Sequence, residues 1–336
     1  MPADTGLRVV VIGAGMMGAR HAECVAQARD GRLVAVADLD LARAKETADR
    51  LGARAFRTHH EVLEGVTFDA AVVCTPDWAH VEVCCDLAAA GKHILVEKPL
   101  AMTVADCDAI IHACDAAGVT LMVGHLLRFD PRYAAARAEV AAGRVGDLSY
   151  LYSRRINTLV QPRRFQGKTT VLHYLGVHEF DWMLWTAREP VTEVRASASR
   201  AALRDLGVDD AVFTTLRFAS GAVGFVHVAW ILPETSSVDL DAYAEAVGTA
   251  GSVHIDTSNS GLRAEGEKPR RLDTTYSYSL LGEAAGALRE EVNHFLRCVA
   301  ERREPLIDGR QGRAAVAVAE AAARSALTGA AVSPAA

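Results

Sequence analysis

The chain has 336 residues, half of them hydrophobic, and a formal net charge of −6. This length exceeds what one core usually fills, so two domains are expected, and the charge gives no attraction to nucleic acid or to an anionic membrane. No apolar run reaches the roughly eighteen residues of a membrane helix, and the seven cysteines form no CxxC pair. We therefore expect a reduced, cytoplasmic protein without a membrane segment.

Short apolar runs alternate with helical stretches from residue 7 to about residue 125. The apolar runs predict strands covered on both faces, and the apolar residues between them recur at helical spacing. This alternation predicts a doubly wound parallel sheet, a Rossmann nucleotide fold, over residues 1–126. The predicted strands are Leu7–Ile12, Leu33–Ala37, Ala70–Cys74, Ile94–Val96 and Leu121–Val123, and the predicted helices are Gly18–Gln27, Leu41–Leu51, Trp78–Ala90 and Val104–Ala117.

The pattern changes after Asp130-Pro131. One helix is followed by strand-like runs without helices between most of them, which predicts an α+β domain with a largely antiparallel open sheet over residues 127–336. The strands are predicted at Leu148–Ile156, Glu193–Ser199, Ala211–Phe218, Ala222–Trp230, Ala242–Gly248 and Ser252–Asp256, and further helices at Val171–Thr186, Glu283–Ala300 and Gly312–Leu327.

A glycine fingerprint, Gly13-Ala14-Gly15-Met16-Met17-Gly18, follows the first strand and opens a helix. Its three glycines suit a tight turn, a close approach to a pyrophosphate, and close packing of helix on strand. Asp38 follows the second strand, where a carboxylate bonds the ribose and repels a 2′-phosphate. NAD is therefore favoured over NADP as the cofactor, although Arg43 nearby leaves NADP open.

Glu97-Lys98-Pro99 comes directly after the apolar run His93-Ile94-Leu95-Val96. The motif thus places an ammonium group at the carboxyl end of a strand, where open α/β sheets bind their ligands. Lys98 would face a dinucleotide that the first turn already holds. The two motifs together indicate a redox enzyme.

These motifs, with Cys74-Thr75-Pro76-x-x-x-His80 and Gly124-x-x-x-Arg128-Phe129-x-Pro131, resemble the glucose–fructose oxidoreductase / inositol dehydrogenase (Gfo/Idh/MocA) family along essentially the whole chain. The resemblance implies oxidation of a secondary hydroxyl of a sugar or cyclitol, or the reverse reduction, with Lys98 beside the nicotinamide. The fingerprint and the resemblance assign these residues to the cofactor: Gly13, Gly15, Met16, Met17, Gly18, Asp38, Thr75, Pro76, His80, Glu97 and Lys98.

A second family motif, Asp-x-Gly-x-His-x-x-Asp, matches Tyr174 to Asp181 except at its first position, where this chain has Tyr174. The resemblance assigns the catalytic histidine to His178. The spacing of Tyr174, His178 and Asp181 predicts one shared helical face. We expect Tyr174 to replace the family aspartate as a hydrogen-bonding group, although His178 could instead be a bonded core histidine.

Oxidation of an alcohol by NAD needs a base for the hydroxyl proton, and histidine has a suitable pKa. We therefore expect His178 as general acid/base, Lys98 as the polarising or relaying group, and Tyr174 as their partner. HExxH is absent, because Trp182 stands at the second histidine position, so no metal site is predicted. Substrate contacts are expected from Lys98, Arg128, Arg155, Tyr174 and His178.

The functional prediction is an NAD(H)-dependent oxidoreductase of a sugar, sugar derivative or cyclitol. Two alternatives stay open: an NADPH-dependent keto-sugar reductase of a biosynthetic pathway, and a regulator that senses a nucleotide without catalysis. The presence of Lys98 and His178 favours an enzyme. The resemblance further implies a homodimer or homotetramer, joined through the outer face of the C-terminal sheet.

Overall fold

The computed structural model describes residues 6–236, 239–257, 262–264, 270–271 and 273–335. The chain forms two compact units, Met1–Phe129 with Thr274–Arg313 and Asp130–Asp273 with Ala314–Ala336. They differ from the predicted division into 1–126 and 127–336, because the segment Thr274–Arg313 packs with the N-terminal sheet. Its helix Ala287–Glu301 lies against the helix Met16–Ala26 and buries an apolar face there.

The first unit contains a six-stranded sheet with strands β1 (Leu7–Ile12), β2 (Gly31–Ala37), β3 (Arg54–Phe56), β4 (Ala70–Val73), β5 (His93–Glu97) and β6 (Leu121–Gly124). The spatial order is β3-β2-β1-β4-β5-β6, and all neighbours are parallel. The order reverses between β1 and β4, so their carboxyl ends form the switch point where such sheets bind ligands. The predicted doubly wound fold is confirmed.

Five helices connect these strands: α1 (Met16–Ala26), α2 (Leu41–Leu51), α3 (His59–Gly65), α4 (His80–Ala89) and α5 (Val104–Ala117). Helices α2 and α5 have the predicted bounds, and each ends at a left-handed glycine, Gly52 or Gly118. The sequence patterns had not predicted β3 and α3. Strand β3 has three residues, none of them buried, so it shows neither an apolar run nor an alternation.

The second unit begins with helix α6 (Pro131–Ala141) and contains a second six-stranded sheet. Its strands are β7 (Leu148–Thr158), β8 (Val191–Ser199), β9 (Ala211–Phe218), β10 (Val223–Leu232), β11 (Leu240–Gly248) and β12 (Ser252–Asp256). The order is β12-β11-β7-β10-β9-β8, and the pairs are antiparallel except for parallel β7 and β10. The prediction of a largely antiparallel sheet is confirmed.

Two predicted helices need correction. The segment Val171–Thr186 is not one α-helix, because Leu172–Gly176 forms a π-helical turn before helix α8 (Val177–Ala187), and a short helix α7 (Val160–Arg164) precedes both. The helix predicted from Glu283 begins at Ala287, because Glu283–Ala285 pairs in a hairpin with Tyr278–Leu280. The remaining elements are β13 (Arg263–Ala264), β14 (Arg270–Arg271), β15 (Tyr278–Leu280), β16 (Glu283–Ala285), α9 (Ala287–Glu301) and α10 (Gly309–Thr328).

Side chains alternate along β7 as a sheet with one buried face requires. Leu151, Ser153 and Arg155 are buried, whereas Tyr150 and Tyr152 lie on the opposite face. Within the described parts of the chain, no helix combines the length and the apolar character that crossing a membrane would need.

Candidate functional site

The glycine turn between β1 and α1 is tightly packed at two of its glycines and open at the third. Gly13 has φ +96°, and a Cβ on Gly18 would lie 1.7 Å from the Gly13 carbonyl oxygen. A Cβ on Gly15, in contrast, would meet nothing within 4 Å. Among the described residues, no side chain caps α1 at Gly15. The first N–H groups of α1 and its positive dipole end therefore lie at an open space, which is the geometry that binds a pyrophosphate.

Asp38 lies directly after β2 and bonds to the glycine turn itself. One carboxylate oxygen accepts a hydrogen bond from the Ala14 N–H and the other from the Asp40 N–H, both at 2.8 Å. The Arg43 guanidinium lies 3.7 Å from Asp38 and 3.5 Å from Asp40. Because Arg43 is paired with these two carboxylates, its charge is balanced, and the end of β2 keeps the acidic character that suits ribose hydroxyls.

The loop after β4 contains Thr75 and Pro76, and the side chain of His80 bonds to the backbone of this loop. His80 is buried, with Nε2 3.0 Å from the Thr75 carbonyl oxygen and Nδ1 2.9 Å from the Pro99 carbonyl oxygen. Burial lowers the pKa of His80 and opposes its charging, despite these carbonyl contacts. His80 therefore joins the loop after β4 to the loop after β5. The Thr75 hydroxyl is buried and accepts or donates no hydrogen bond within the described residues.

Glu97 ends β5 and Lys98 follows it, joined to Pro99 by a cis peptide bond. The Glu97 carboxylate lies 2.9 Å from His21 Nε2 and accepts a second hydrogen bond, at 3.2 Å, from the Lys98 N–H. Burial acts to raise the pKa of Glu97, but the hydrogen bond and charge of His21, together with Lys98, bring that pKa below its ordinary value. The charged Glu97 thus ties the backbone of Lys98 to helix α1.

A second carboxyl group, Glu291 of α9, lies buried near Glu97. The Glu291 Oε1 atom would be 3.5 Å from a Cβ on Gly124, the residue that pairs with Glu97 across β5 and β6. Neither carboxyl oxygen of Glu291 has a hydrogen-bond partner among the described residues. Burial, and then the negative charge of Glu97, raise the pKa of Glu291 well above its ordinary value. Burial and the charge of Glu97 thus favour the protonated form of Glu291 in this buried carboxyl pair.

Two predicted substrate ligands, Arg128 and Arg155, are buried and bonded within their own units. The Arg128 guanidinium donates to the Leu306 carbonyl oxygen at 3.0 Å. Arg155 pairs with buried Glu179 and lies 3.3 Å from the Tyr133 hydroxyl. Pairing of this kind satisfies a buried guanidinium, so both arginines have clear structural roles.

Tyr174 and His178 belong to the second unit, where the π-helical turn Leu172–Gly176 runs into α8. Both side chains are half-buried, whereas Asp181 is buried. The Tyr174 ring packs between aromatic rings, 5.3 Å from Phe165 and 6.0 Å from Trp230 between centroids. The π turn changes the angular spacing that an α-helix would give these residues, and such turns are frequent at functional sites.

The predicted site residues thus fall into two groups. In the first unit, the fingerprint with Met16 and Met17, Asp38, the Thr75-Pro76 loop and Lys98 all follow carboxyl ends of neighbouring strands. In the second unit, Tyr174 and His178 share one helical segment. The sequence analysis missed His21 and Glu291. A signal for Glu291 existed, because it lies among Leu288, Val292 and Phe295 on the apolar face of α9.

The residues of the first unit fit a dinucleotide. The open space at Gly15 and the uncapped start of α1 suit a pyrophosphate, and Asp38 suits a ribose. The buried Thr75 hydroxyl, which lacks a partner among the described residues, offers a further bond at the switch point. A parallel sheet with these features defines a dinucleotide-binding protein.

Comparison with known proteins gives the particular family. Residues 7–125 match the GFO_IDH_MocA model, described as an oxidoreductase family with an NAD-binding Rossmann fold, and residues 133–254 match the GFO/IDH/MocA C-terminal domain. The chain belongs to this family of oxidoreductases. The predicted family, fold, enzyme class and cofactor are confirmed.

Several relatives are similar to the chain along nearly its whole length. It is 28% identical to a myo-inositol 2-dehydrogenase of Thermotoga maritima, over 95% of this chain and 96% of that protein. It is 31% identical to inositol 2-dehydrogenase 1 of Saccharopolyspora erythraea, over 95% and 94%. The structure of GenD2 from gentamicin A biosynthesis, in complex with NAD, matches with a TM-score of 0.82 and 25% identity over 98% of this chain and 97% of that chain.

Proposed function

We propose that the protein is an NAD-dependent dehydrogenase that oxidises a secondary hydroxyl of a cyclitol and reduces the matching ketone in the reverse direction. The similarity to inositol dehydrogenases over 95% of the chain carries this proposal. Lys98, next to the strand end that faces the dinucleotide, and His178, at the start of α8, supply the polar groups that the reaction needs.

The oxidation removes a hydride from the carbinol carbon and a proton from its oxygen. NAD, when bound, supplies the hydride acceptor. In this proposal His178 accepts the hydroxyl proton, because a neutral imidazole is a base near neutral pH. Lys98 donates a hydrogen bond to the same oxygen as it becomes a carbonyl, and the Tyr174 hydroxyl orients the histidine in place of the family aspartate.

The buried groups behind Lys98 support its role. Glu97 accepts a hydrogen bond from the Lys98 N–H, and its other carboxylate oxygen bonds to His21 of α1. The backbone that carries the lysine is therefore tied to that helix. A fixed backbone keeps the ammonium group within reach of the reacting oxygen, and such positioning accounts for a large share of catalytic rate. Glu97 is a positioning residue in this scheme, while Lys98 touches the substrate.

A reduced-nicotinamide absorbance screen of the purified full chain tests the proposal. The panel contains inositol isomers, amino-cyclitols, sugars, sugar acids and sugar phosphates, each with NAD and with NADP. We expect turnover of a cyclitol with NAD. Turnover limited to a keto-sugar with NADPH would replace this function by the biosynthetic reductase, and NADH binding without turnover on the whole panel would favour the regulator.

We further propose that the chain forms homodimers or homotetramers through the outer face of the second sheet. Aromatic side chains lie together on that face, with Phe225 stacked on Tyr152 at 5.9 Å and Phe213 stacked on His227 at 4.2 Å. Phe213, Phe225 and Tyr150 are each about two-fifths exposed, at 43%, 39% and 39%. An exposed patch of this kind is typical of protein interfaces.

We place the protein in the reducing cytoplasm. All seven cysteines are unpaired, and five of them are buried. Burial raises the pKa of the Cys84 thiol and brings that of Cys107 to about 12, so these side chains stay protonated and serve as small hydrophobic groups.

A further inference from the structure

Two histidines and two carboxylates meet between α3 and α4, and none of the four is among the residues assigned to the cofactor. His59 and His60 open α3, and Glu82 and Asp86 lie four residues apart on α4, hence on one side of that helix. One ligand atom from each of the four residues lies within 4.8 Å of all the others. The sequence analysis, which considered metal ligands only around His178, did not find this cluster.

The distances between these side-chain atoms can be compared with those between the ligands of a bound zinc ion. His59 Nε2 is 2.9 Å and His60 Nδ1 is 3.7 Å from the same Asp86 oxygen, and the other His60 nitrogen, Nε2, lies 3.9 Å from Glu82 Oε1. Zinc binds histidine nitrogen and carboxylate oxygen at about 2.0–2.2 Å, which sets tetrahedral ligand atoms roughly 3.4 Å apart. Only one of the two His60 nitrogens can bind the ion, and the ligand atoms lie up to 4.8 Å apart. The widest pair must therefore close by about 1 Å, a movement left to the exposed His60 and Glu82 side chains.

Burial and charge favour a dication. His59 is 8% exposed, and its Nε2 shares a hydrogen bond with Asp86, so these two side chains already face each other. An ion that binds both atoms displaces the proton between them, and that proton is released to solvent. The side chains of His60 and Glu82 are 58% and 73% exposed, which gives an ion access from solvent and leaves these ligands free to adjust. Two carboxylates neutralise the charge of a divalent ion, and nitrogen with oxygen ligands suits zinc, cobalt and nickel.

We propose that His59, His60, Glu82 and Asp86 form a binding site for a divalent transition-metal ion, with zinc as the ion to test. An ion bound there would tie α3 to α4 and would stabilise the folded chain by mass action. This inference does not depend on the substrate or on the reaction of the enzyme.

The test uses the full chain, without a histidine tag, after treatment with a chelator. We expect calorimetric titration with zinc to show one ion per chain, and cobalt to give a visible absorption band of a site with fewer than six ligands. His60→Ala and Glu82→Gln should each weaken zinc binding at least about tenfold, because even groups that only support a ligand change affinity by about 10-fold to 100-fold. Both side chains are exposed, so both variants should fold.

His112→Ala is the matched control, because His112 is an exposed histidine on α5 outside the cluster. It should bind zinc as the unchanged chain does. Zinc should also raise the unfolding temperature of the unchanged chain and of His112→Ala, and should raise it less in His60→Ala. The proposal is overturned if zinc does not saturate a single site at about 100 μM, or if His60→Ala binds zinc as tightly as the control.

Discussion

Lys98 is the residue on which the proposed reaction depends most directly. Lys98→Met keeps the length of the side chain and removes its charge and its hydrogen-bond donors. We expect kcat to fall at least about 100-fold, in the range that a positioned proton-transfer group contributes. NADH affinity should stay within a few-fold, because the glycine turn and Asp38 are unchanged.

Steady-state kinetics and NADH fluorescence titration separate these two effects. Lys45→Met is the matched control, since Lys45 is exposed on α2, and it should keep full activity. Near-normal turnover of Lys98→Met would remove Lys98 from the mechanism, and an equal loss in Lys45→Met would show that the substitution itself is harmful.

Glu291 gives a prediction about pH and stability. Its pKa in the folded chain is raised above the ordinary value of 4.5, by burial and by Glu97. The unfolded chain therefore releases this proton first, and the folded state loses stability as pH rises from about 4.5 toward the raised pKa, by about 1.4 kcal/mol for each pKa unit of the shift. Glu291→Gln, which cannot ionise, should lose less stability over that interval.

Urea unfolding of both proteins at a series of pH values measures this difference. The curves of unfolding free energy against pH should diverge above about pH 4.5 and run parallel below it. His112→Ala, which leaves the carboxyl pair intact, should follow the unchanged chain. Parallel curves across the whole range would mean that Glu291 ionises in the folded protein as readily as in the unfolded one.

At the scale of single elements, the glycine turn separates cofactor binding from folding. A Cβ on Gly15 meets nothing within 4 Å, whereas a Cβ on Gly18 would lie 1.7 Å from a backbone oxygen. We expect Gly15→Ala to fold normally and to bind NADH about tenfold to a hundredfold more weakly. The added methyl group would occupy the space in which the pyrophosphate accepts hydrogen bonds from the first N–H groups of α1. Gly18→Ala should lower the unfolding free energy by at least about 2 kcal/mol.

Thermal unfolding and NADH titration of the two variants form a matched pair. Gly52→Ala is a further control. A Cβ on Gly52 meets nothing within 4 Å, but its φ of +71° is unfavourable for alanine. This variant should therefore be less stable than the unchanged chain and bind NADH as tightly. Normal NADH affinity in Gly15→Ala would move the pyrophosphate away from the start of α1.

Regular elements could be predicted from the sequence, and irregular ones could not. Strands β1 and β4 are continuous apolar runs, and the left-handed glycines mark the ends of α2 and α5. The π turn Leu172–Gly176 has no such signal, because the apolar spacing around it also fits an α-helix. The carboxyl pair was missed because Glu97 and Glu291 are almost two hundred residues apart, at 97 and 291.

At the scale of the whole molecule, composition and periodicity located the change from the parallel to the antiparallel sheet. They did not show that the segment Thr274–Arg313 belongs to the first unit. The strands before and after residue 130 differ in pattern, so the change is visible in sequence. The helix Ala287–Glu301 is amphipathic, and amphipathic helices do not specify which sheet they cover. The sequence therefore could not predict that this helix packs against α1 in the first unit, and only the structure shows it.

The proposed oligomer can be tested on the aromatic face of the second sheet. Phe225 points to that face while its neighbours Gly224 and Val226 are buried on the other, so Phe225→Glu places a charge on the surface without disturbing the core. Burial of that charge in an interface would be costly. We expect light scattering to give a multiple of the chain mass for the unchanged protein and a smaller mass for Phe225→Glu.

Leu327→Glu is the matched control, because Leu327 is 87% exposed on α10 and lies outside the sheet. It should retain the mass of the unchanged protein, and both variants should unfold at nearly the same temperature as that protein once dissociation is accounted for. A standard interface removes about 800 Å² from each partner, which requires the whole aromatic face and not Phe225 alone. Phe213→Glu should therefore weaken association as well, and an unchanged mass in both sheet variants would exclude this face as the interface.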